Sequence, residues 1–162
     1  MIDESQRPER SGLHVALWEP EIPPNTGNIA RLCAATGTPL HLIGRLGFRL
    51  DDRSLRRAGC DYWHAVEVHR HATLEEFEGG YTGQRLYCFS ARASESYTSV
   101  RYQRGDVLLF GSESQGLPDT LLQRHAGRIL TIPMLGTAVR SLNLATAVGI
   151  VLYEALRQVE EW

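Results

Sequence analysis

Three short segments gather the residues best suited to chemistry. Glu19 to Arg31 (EPEIPPNTGNIAR) holds Asn25 and Arg31, six residues apart near a helix start, with two prolines and Gly27 fixing the approach of the chain. Phe110 to Pro118 (FGSESQGLP) holds Glu113 in a loop bracketed by Gly111 and Gly116, where a backbone without side chains can come close to a ligand. Ile132 to Ala147 (IPMLGTAVRSLNLATA) holds Ser141 and Asn143 just ahead of an apolar helix. Together they offer hydrogen-bond donors and acceptors, one anion and one cation, a set suited to a polar ligand. Singly each has a plainer explanation: a capped helix with a surface arginine, a glycine turn with one carboxylate, and an N-cap serine.

Other chemistries lack their residues. No GxGxxG follows a strand and no GxxxxGK[ST] occurs, which removes the dinucleotide fingerprint and the P-loop. HExxH, GxSxG and CxxC are missing too. His69 and His71 sit at a strand end with no other ligands close in sequence, so a solvated pair is expected and no metal site. Cys33, Cys60 and Cys88 are odd in number and widely spaced, which fits reduced, partly buried thiols better than a disulfide framework.

The elements that must position the three segments alternate in type. LHVALW from Leu13 reads as a buried strand. EPEIPP then blocks a helix until Asn25, which Asn25 or Thr26 caps and Gly37 stops. PLHLIG is a second strand, DDRSLRRAG a short helix, WHAVEVH an alternating third strand and ATLEEFEGG a helix. RLYCFS, DVLLFG and RILTIP are short apolar strands ending in small or polar loops, with PDTLLQRHAG a helix between the last two. A long helix closes the chain from about Ser141. This order predicts an α/β domain with a mainly parallel sheet, in which the three segments lie at the carboxyl ends of strands, where such sheets place ligands. The closing helix is apolar nearly all round, so either the core or a second subunit covers its outer face.

With 162 residues, 43% hydrophobic, the chain fits one domain over 13–162 behind a polar tail at 1–12 that is expected to be disordered. The formal charge of −2 excludes nucleic-acid binding by bulk electrostatics and leaves local sites. All 17 basic residues are arginine. The first residues have no apolar signal region and no apolar run reaches membrane length, which predicts a soluble, cytoplasmic protein without membrane partners.

In order and pattern, EPEIPPNTGNIARLCAATG, DDRSLRRAGCDYWH, FGSESQGLP and RSLNLATAVGIVLYEALRQ resemble the motifs of the SPOUT superfamily of RNA 2′-O-methyltransferases. The likeness is greatest to the small bacterial enzymes that modify the tRNA wobble nucleotide at position 34, cytidine or modified uridine. It implies a knotted α/β fold with helices on both faces of the sheet and a C-terminal deep trefoil knot, an exception to the rule against threading. It further implies S-adenosylmethionine as cofactor, at the positions matching Phe89, Gly111, Ile132 and Ser141, with Met134 and Leu142 beside them. Asn25, Arg31, Glu113, Ser141 and Asn143 would surround the reacting ribose.

A guanidinium is a poor general base, so Arg31 would either accept a proton in a tuned site or, better on physical grounds, grip a phosphate and stabilise a forming alkoxide. Glu113 could orient it or cap the loop. Arg53, Arg56 and Arg57 share one helical face and could dock tRNA phosphates, or could simply be solvated beside Asp51 and Asp52. Where similar enzymes often carry arginine in the glycine loop, this chain has Gln115, which withholds a cation near the substrate. With no added RNA-binding domain, a homodimer is expected to form the RNA site. Methylation of another RNA such as rRNA, or a catalytically silent RNA-binding protein of the same fold, are the alternatives.

Overall fold

The structure is a computed structural model that describes residues 11–57, 62–81 and 83–162. Six strands form one sheet: β1 His14–Trp18, β2 Leu40–Ile43, β3 Val68–His71, β4 Leu86–Phe89, β5 Val107–Phe110 and β6 Ile129–Leu130. Their order is β3-β2-β1-β5-β4-β6 and every pairing is parallel. Five helices connect or close them: α1 Pro23–Thr36, α2 Asp52–Arg57, α3 Leu74–Gly80, α4 Asp119–Arg124 and α5 Leu144–Val159.

Alternation along the strands assigns the two faces. Val15, Leu17, Leu40, Leu42, Leu108 and Phe110 join one cluster with Ile29 and Cys33 of α1 and Val148, Val151, Leu152 and Ala155 of α5. Ala16, Cys88, Val107 and Leu109 join a second cluster with Leu74 and Phe77 of α3 and Leu121 of α4. Helices therefore cover both faces, and the central strands read as unbroken apolar runs because neither face meets water.

Three boundaries differ from the sequence expectation. α1 begins at Pro23, not Asn25, with Ile22 as an N-cap that contributes no side chain. Proline is tolerated in a first turn because the N–H it lacks would have had no intrahelical partner. α5 begins at Leu144, and its cap is Asn143 rather than Ser141. The WHAVEVH stretch divides into a 3-10 turn at Trp63–Ala65 and β3, which starts at Val68. α5 is one-sided: Leu144, Val148, Val151, Leu152, Ala155 and Leu156 are buried, while Tyr153 is exposed.

The solvated pair expected at His69 and His71 is overturned. His71 Nε2 shares a hydrogen bond of 3.0 Å with Nδ1 of His41, which is fully buried, and His69 stacks on His41 while bonding Glu67 at 2.8 Å. Cys33 and Cys88 are both buried, and burial pushes each thiol up to about 12. Cys60 lies outside the described residues, as do residues 1–10 of the tail expected over 1–12. Ser11 and Gly12 are held, Ser11 Oγ accepting from Leu13 N at 3.3 Å and the Gly12 carbonyl from Gly105 N at 3.0 Å.

Candidate active site

A cavity of about 610 Å³ opens at the carboxyl ends of β4, β5 and β6, within the size range of small-molecule sites. The three chemistry-bearing segments meet there. Asn25, Phe89, Gly111, Glu113, Ile132, Met134, Ser141, Leu142 and Asn143 all line it. Its apolar floor includes the stacked rings of Phe89 and Phe110, with centroids 4.8 Å apart.

The glycine loop is shaped by its own backbone. Ser112 N donates to the Gly116 carbonyl at 3.2 Å and Gly116 N returns the bond at 2.9 Å. A Cβ on Gly111 would overlap the Gly116 carbonyl carbon and the Leu117 amide nitrogen, so the turn closes only around glycine.

Glu113 clasps the start of α1. Its Oε1 accepts from Glu21 N at 2.9 Å, and its Oε2 from Ile22 N at 2.7 Å and Asn25 Nδ2 at 3.3 Å. The clasp is reciprocal, because Glu21 Oε1 accepts from Ser114 N at 3.0 Å and Ser114 Oγ at 2.6 Å. These bonds, the hydroxyl's first, hold the Glu21 carboxyl below its usual range. Asn143 Nδ2 then donates to Asn25 Oδ1 at 2.9 Å, while Asn143 Oδ1 accepts from Thr146 N at 3.2 Å. Loop, α1 and α5 are thus joined through Glu113, Asn25 and Asn143.

The backbone that leaves β1 toward α1 is itself unusual. Glu19, directly after β1, lies in the left-handed region, with φ 46°, and Gly44 leaves room beside it; a Cβ on Gly44 would come 2.8 Å from Glu19 Cγ. Glu19 Oε1 accepts from Arg45 N at 3.3 Å.

Arg31 is not brought to this cavity. It is exposed on α1, and its guanidinium lies 5.0 Å from the centroid of the Tyr62 ring. Of the two roles open to Glu113, orienting Arg31 gives way to the clasp on residues 21–25. Arg53, Arg56 and Arg57 lie on α2, all exposed, while Asp51 Oδ1 accepts from Ser54 N at 2.7 Å. Arg92 and Arg140 line the cavity without having been foreseen, as do Ile22 and Ser114. Arg140 stands directly before Ser141, and its adjacency was the available signal. Gln115 also lines the cavity and is exposed. Among the described residues no group of three or more His, Cys, Asp or Glu is arranged to hold a metal ion, and no helix is long and apolar enough to cross a membrane.

Known proteins share this architecture. Residues 12–153 match the family described as the SpoU rRNA Methylase family. The tRNA (cytidine(34)-2'-O)-methyltransferase of Escherichia coli (strain K12) is 47% identical over 148 residues, spanning 91% of this chain and 94% of that protein. A solved structure concerned with the 2-OH methylation of C/U34 on tRNA aligns with TM-score 0.87 at 50% identity, over 93% of this chain and 97% of its own. An AdoMet-bound rRNA methyltransferase from Sinorhizobium meliloti aligns with TM-score 0.78 at 31% identity, over 94% of this chain and 59% of its own.

Proposed function

Because the chain belongs to the SpoU rRNA methylase family, we propose that it methylates the ribose 2′-hydroxyl of the wobble nucleotide of tRNA, cytidine or modified uridine at position 34, using S-adenosylmethionine. The observation that carries this reading is the meeting of the three segments around one cavity, joined by the Glu113, Asn25 and Asn143 bonds.

The residues present fit the cofactor: an apolar floor, exposed backbone in the glycine loop and a few fixed polar groups. Phe89, Gly111, Ile132, Met134, Ser141 and Leu142 would hold it. When bound, S-adenosylmethionine supplies an electrophilic methyl group and a positive charge that is dissipated on transfer. An apolar lining suits such chemistry, since no net charge grows that would need solvation. Asn25, Ser141 and Asn143 orient the ribose hydroxyl, and the clasp keeps Asn25 in one rotamer so that alignment carries little entropy cost on binding. The loops around Gly111 and Ser141, which line the cavity, would help to screen the hydroxyl from water.

Arg31 belongs to this reading through a homodimer. Six residues of helix separate it from Asn25 by roughly 9 Å of rise and about 240° of turn, so it faces away from the cavity of its own chain. A phosphate grip or alkoxide stabilisation by Arg31 then acts in the cavity of a second copy. The exposed Tyr153 on α5 and the exposed Leu135 and Val139 beside the cavity supply apolar surface for that contact. Mixing an inactive Arg31→Ala chain with an inactive Glu113→Ala chain restores activity on this account, and no restoration removes the shared site.

The proposal carries the C-terminal trefoil knot as well, the chain returning from edge strand β6 to seat α5 against α1 and β5. A cytoplasmic location follows from tRNA as substrate. The test is nucleoside mass spectrometry of tRNA and rRNA from cells with and without the gene, then methyl transfer to the affected RNA in vitro. Loss of a 2′-O-methyl group at tRNA position 34 is expected; loss in rRNA alone overturns the tRNA assignment, and loss from no RNA overturns the activity.

A further inference from the structure

Of the charged groups lining the cavity, one has no partner among the described residues. Glu113 is engaged by two backbone N–H groups and an amide, and Arg92 Nη2 donates to Asp119 Oδ1 at 3.0 Å. Arg140 is exposed and has no ion pair or hydrogen bond among the described residues. It is followed directly by Ser141, Leu142 and Asn143, which line the same wall, and that wall is anchored where Asn143 caps α5 and bonds Asn25.

We propose that Arg140 is a positioning residue that grips the RNA phosphate attached next to the target ribose hydroxyl. The proposal rests on the cavity being the ribose site. Within RNA the 2′-hydroxyl and the 3′-phosphodiester occupy neighbouring carbons of one sugar, so a hydroxyl seated among Asn25, Ser141 and Asn143 brings its phosphate to the cavity rim. An unpaired guanidinium meets that phosphate with two parallel N–H bonds and fixes the sugar's rotation as well as its place. This contact comes from the chain's own cavity wall and is separate from any grip that Arg31 offers to the cavity of a second copy. The cofactor's carboxylate is the other anion that could reach the rim, and the experiment separates the two.

Arg140→Gln and Arg140→Lys are compared with the unsubstituted protein for S-adenosylmethionine affinity by calorimetry and for turnover and binding of an anticodon stem-loop RNA. Arg140→Gln should raise the KM for RNA about tenfold and make the slope of log affinity against log salt shallower by about one. Cofactor affinity should stay within about twofold, the size of a contact not made. Arg140→Lys should recover part of the RNA affinity, since it keeps the charge without the fork. Unchanged RNA affinity and salt slope in Arg140→Gln overturns the proposal, and so does a loss confined to the cofactor. If the unsubstituted protein turns over no RNA, the ribose-site reading fails by itself. The binding comparison then still decides whether Arg140 holds phosphate.

Discussion

Asn143 touches Asn25 through its amide nitrogen and the helix behind it through its amide oxygen. The Nδ2 donates to Asn25 Oδ1 at 2.9 Å and the Oδ1 accepts from Thr146 N at 3.2 Å. The two ends of one side chain therefore do separable things. Asn143→Asp keeps a capping oxygen but sets a carboxylate oxygen against the Asn25 oxygen, acceptor against acceptor. It should hold its unfolding free energy within about 1 kcal/mol while losing turnover by roughly a hundredfold. Asn143→Ala should lose the cap as well, about 1 kcal/mol. Thermal melts beside methyl-transfer rates measure both quantities. Turnover in Asn143→Asp near that of the unsubstituted protein would remove the bridge from the mechanism.

Gly111 sits where no side chain fits. A methyl group there would overlap Gly116 and Leu117, so Gly111→Ala must open the loop that carries Glu113. The neighbouring β5 stays buried on both faces, which confines the damage to the loop. S-adenosylmethionine binding should weaken by more than about tenfold, with a fall in melting temperature of only a few degrees. Calorimetric titration of the cofactor gives the answer, and wild-type affinity would show that the loop has slack.

Glu113→Gln is nearly isosteric and should still be severe. Both carboxylate oxygens accept from backbone N–H groups, so one of those donors would face the new NH₂. Both bonds lie at an exposed edge, so losing one of them costs about 0.5–1.5 kcal/mol, and the start of α1, with Asn25 in it, is released. A fall in kcat of about tenfold or more is expected, with RNA binding less affected. Rates near wild type would reduce the clasp to a surface contact.

Sequence reasoning reached the alternation of strand and helix because strands buried on both faces are short apolar runs between small-residue loops. It also reached most of the cavity, since Asn25, Glu113, Ser141 and Asn143 each stand beside a glycine, a proline or a helix start. It erred where two local solutions were equally good. Ser141 and Asn143 can each cap a helix, and only the return of Asn25 to Asn143 across the fold, 118 residues away in sequence, selects the second. Arg31 shows the same limit. Its spacing from Asn25 gives its helical face, but not what lies opposite that face. The histidines were hidden for a further reason: His14, His41 and His71 are 27 and 30 residues apart and meet only through strand order and register.

The α2 arginines make a quantitative claim about RNA. Arg53, Arg56 and Arg57 are exposed on one short helix, and Asp51 is occupied with the backbone of Ser54. If each meets a phosphate, replacing all three with glutamine should make the salt slope of RNA affinity shallower by roughly two to three units. Cofactor affinity should not move. Fluorescence anisotropy of labelled tRNA across salt concentrations tests this, and an unchanged slope would mean the face is merely solvated.

The histidine chain should make the fold acid-labile. His14 Nδ1 and His41 Nε2 are 2.9 Å apart, and His41 Nδ1 and His71 Nε2 3.0 Å, so a neutral His41 donates to one neighbour and accepts from the other. Burial lowers His41 to about 3, and charge on His14, His69 and His71 adds to it. Burial also lowers His14 and His71, opposed at His14 by Glu67 and at His71 by Glu76, with His69 acting against protonation of both and Arg70 against that of His71. Tyr81 and Phe77 of the α3 side pack on the rings. The unfolded chain takes up protons near pH 6.5 while the folded one does not, so the unfolded state binds more protons as the solution is acidified. Stability is then full above about pH 6.5 and falls progressively as pH drops toward the folded His41 value. Urea unfolding at pH 7.5, 6.0 and 5.0 should give falling midpoints at constant slope. His41→Asn, which cannot titrate, should lower the midpoint at pH 7.5 and flatten its pH dependence. Parallel pH profiles for the two proteins would exclude His41 as the proton-excluding group.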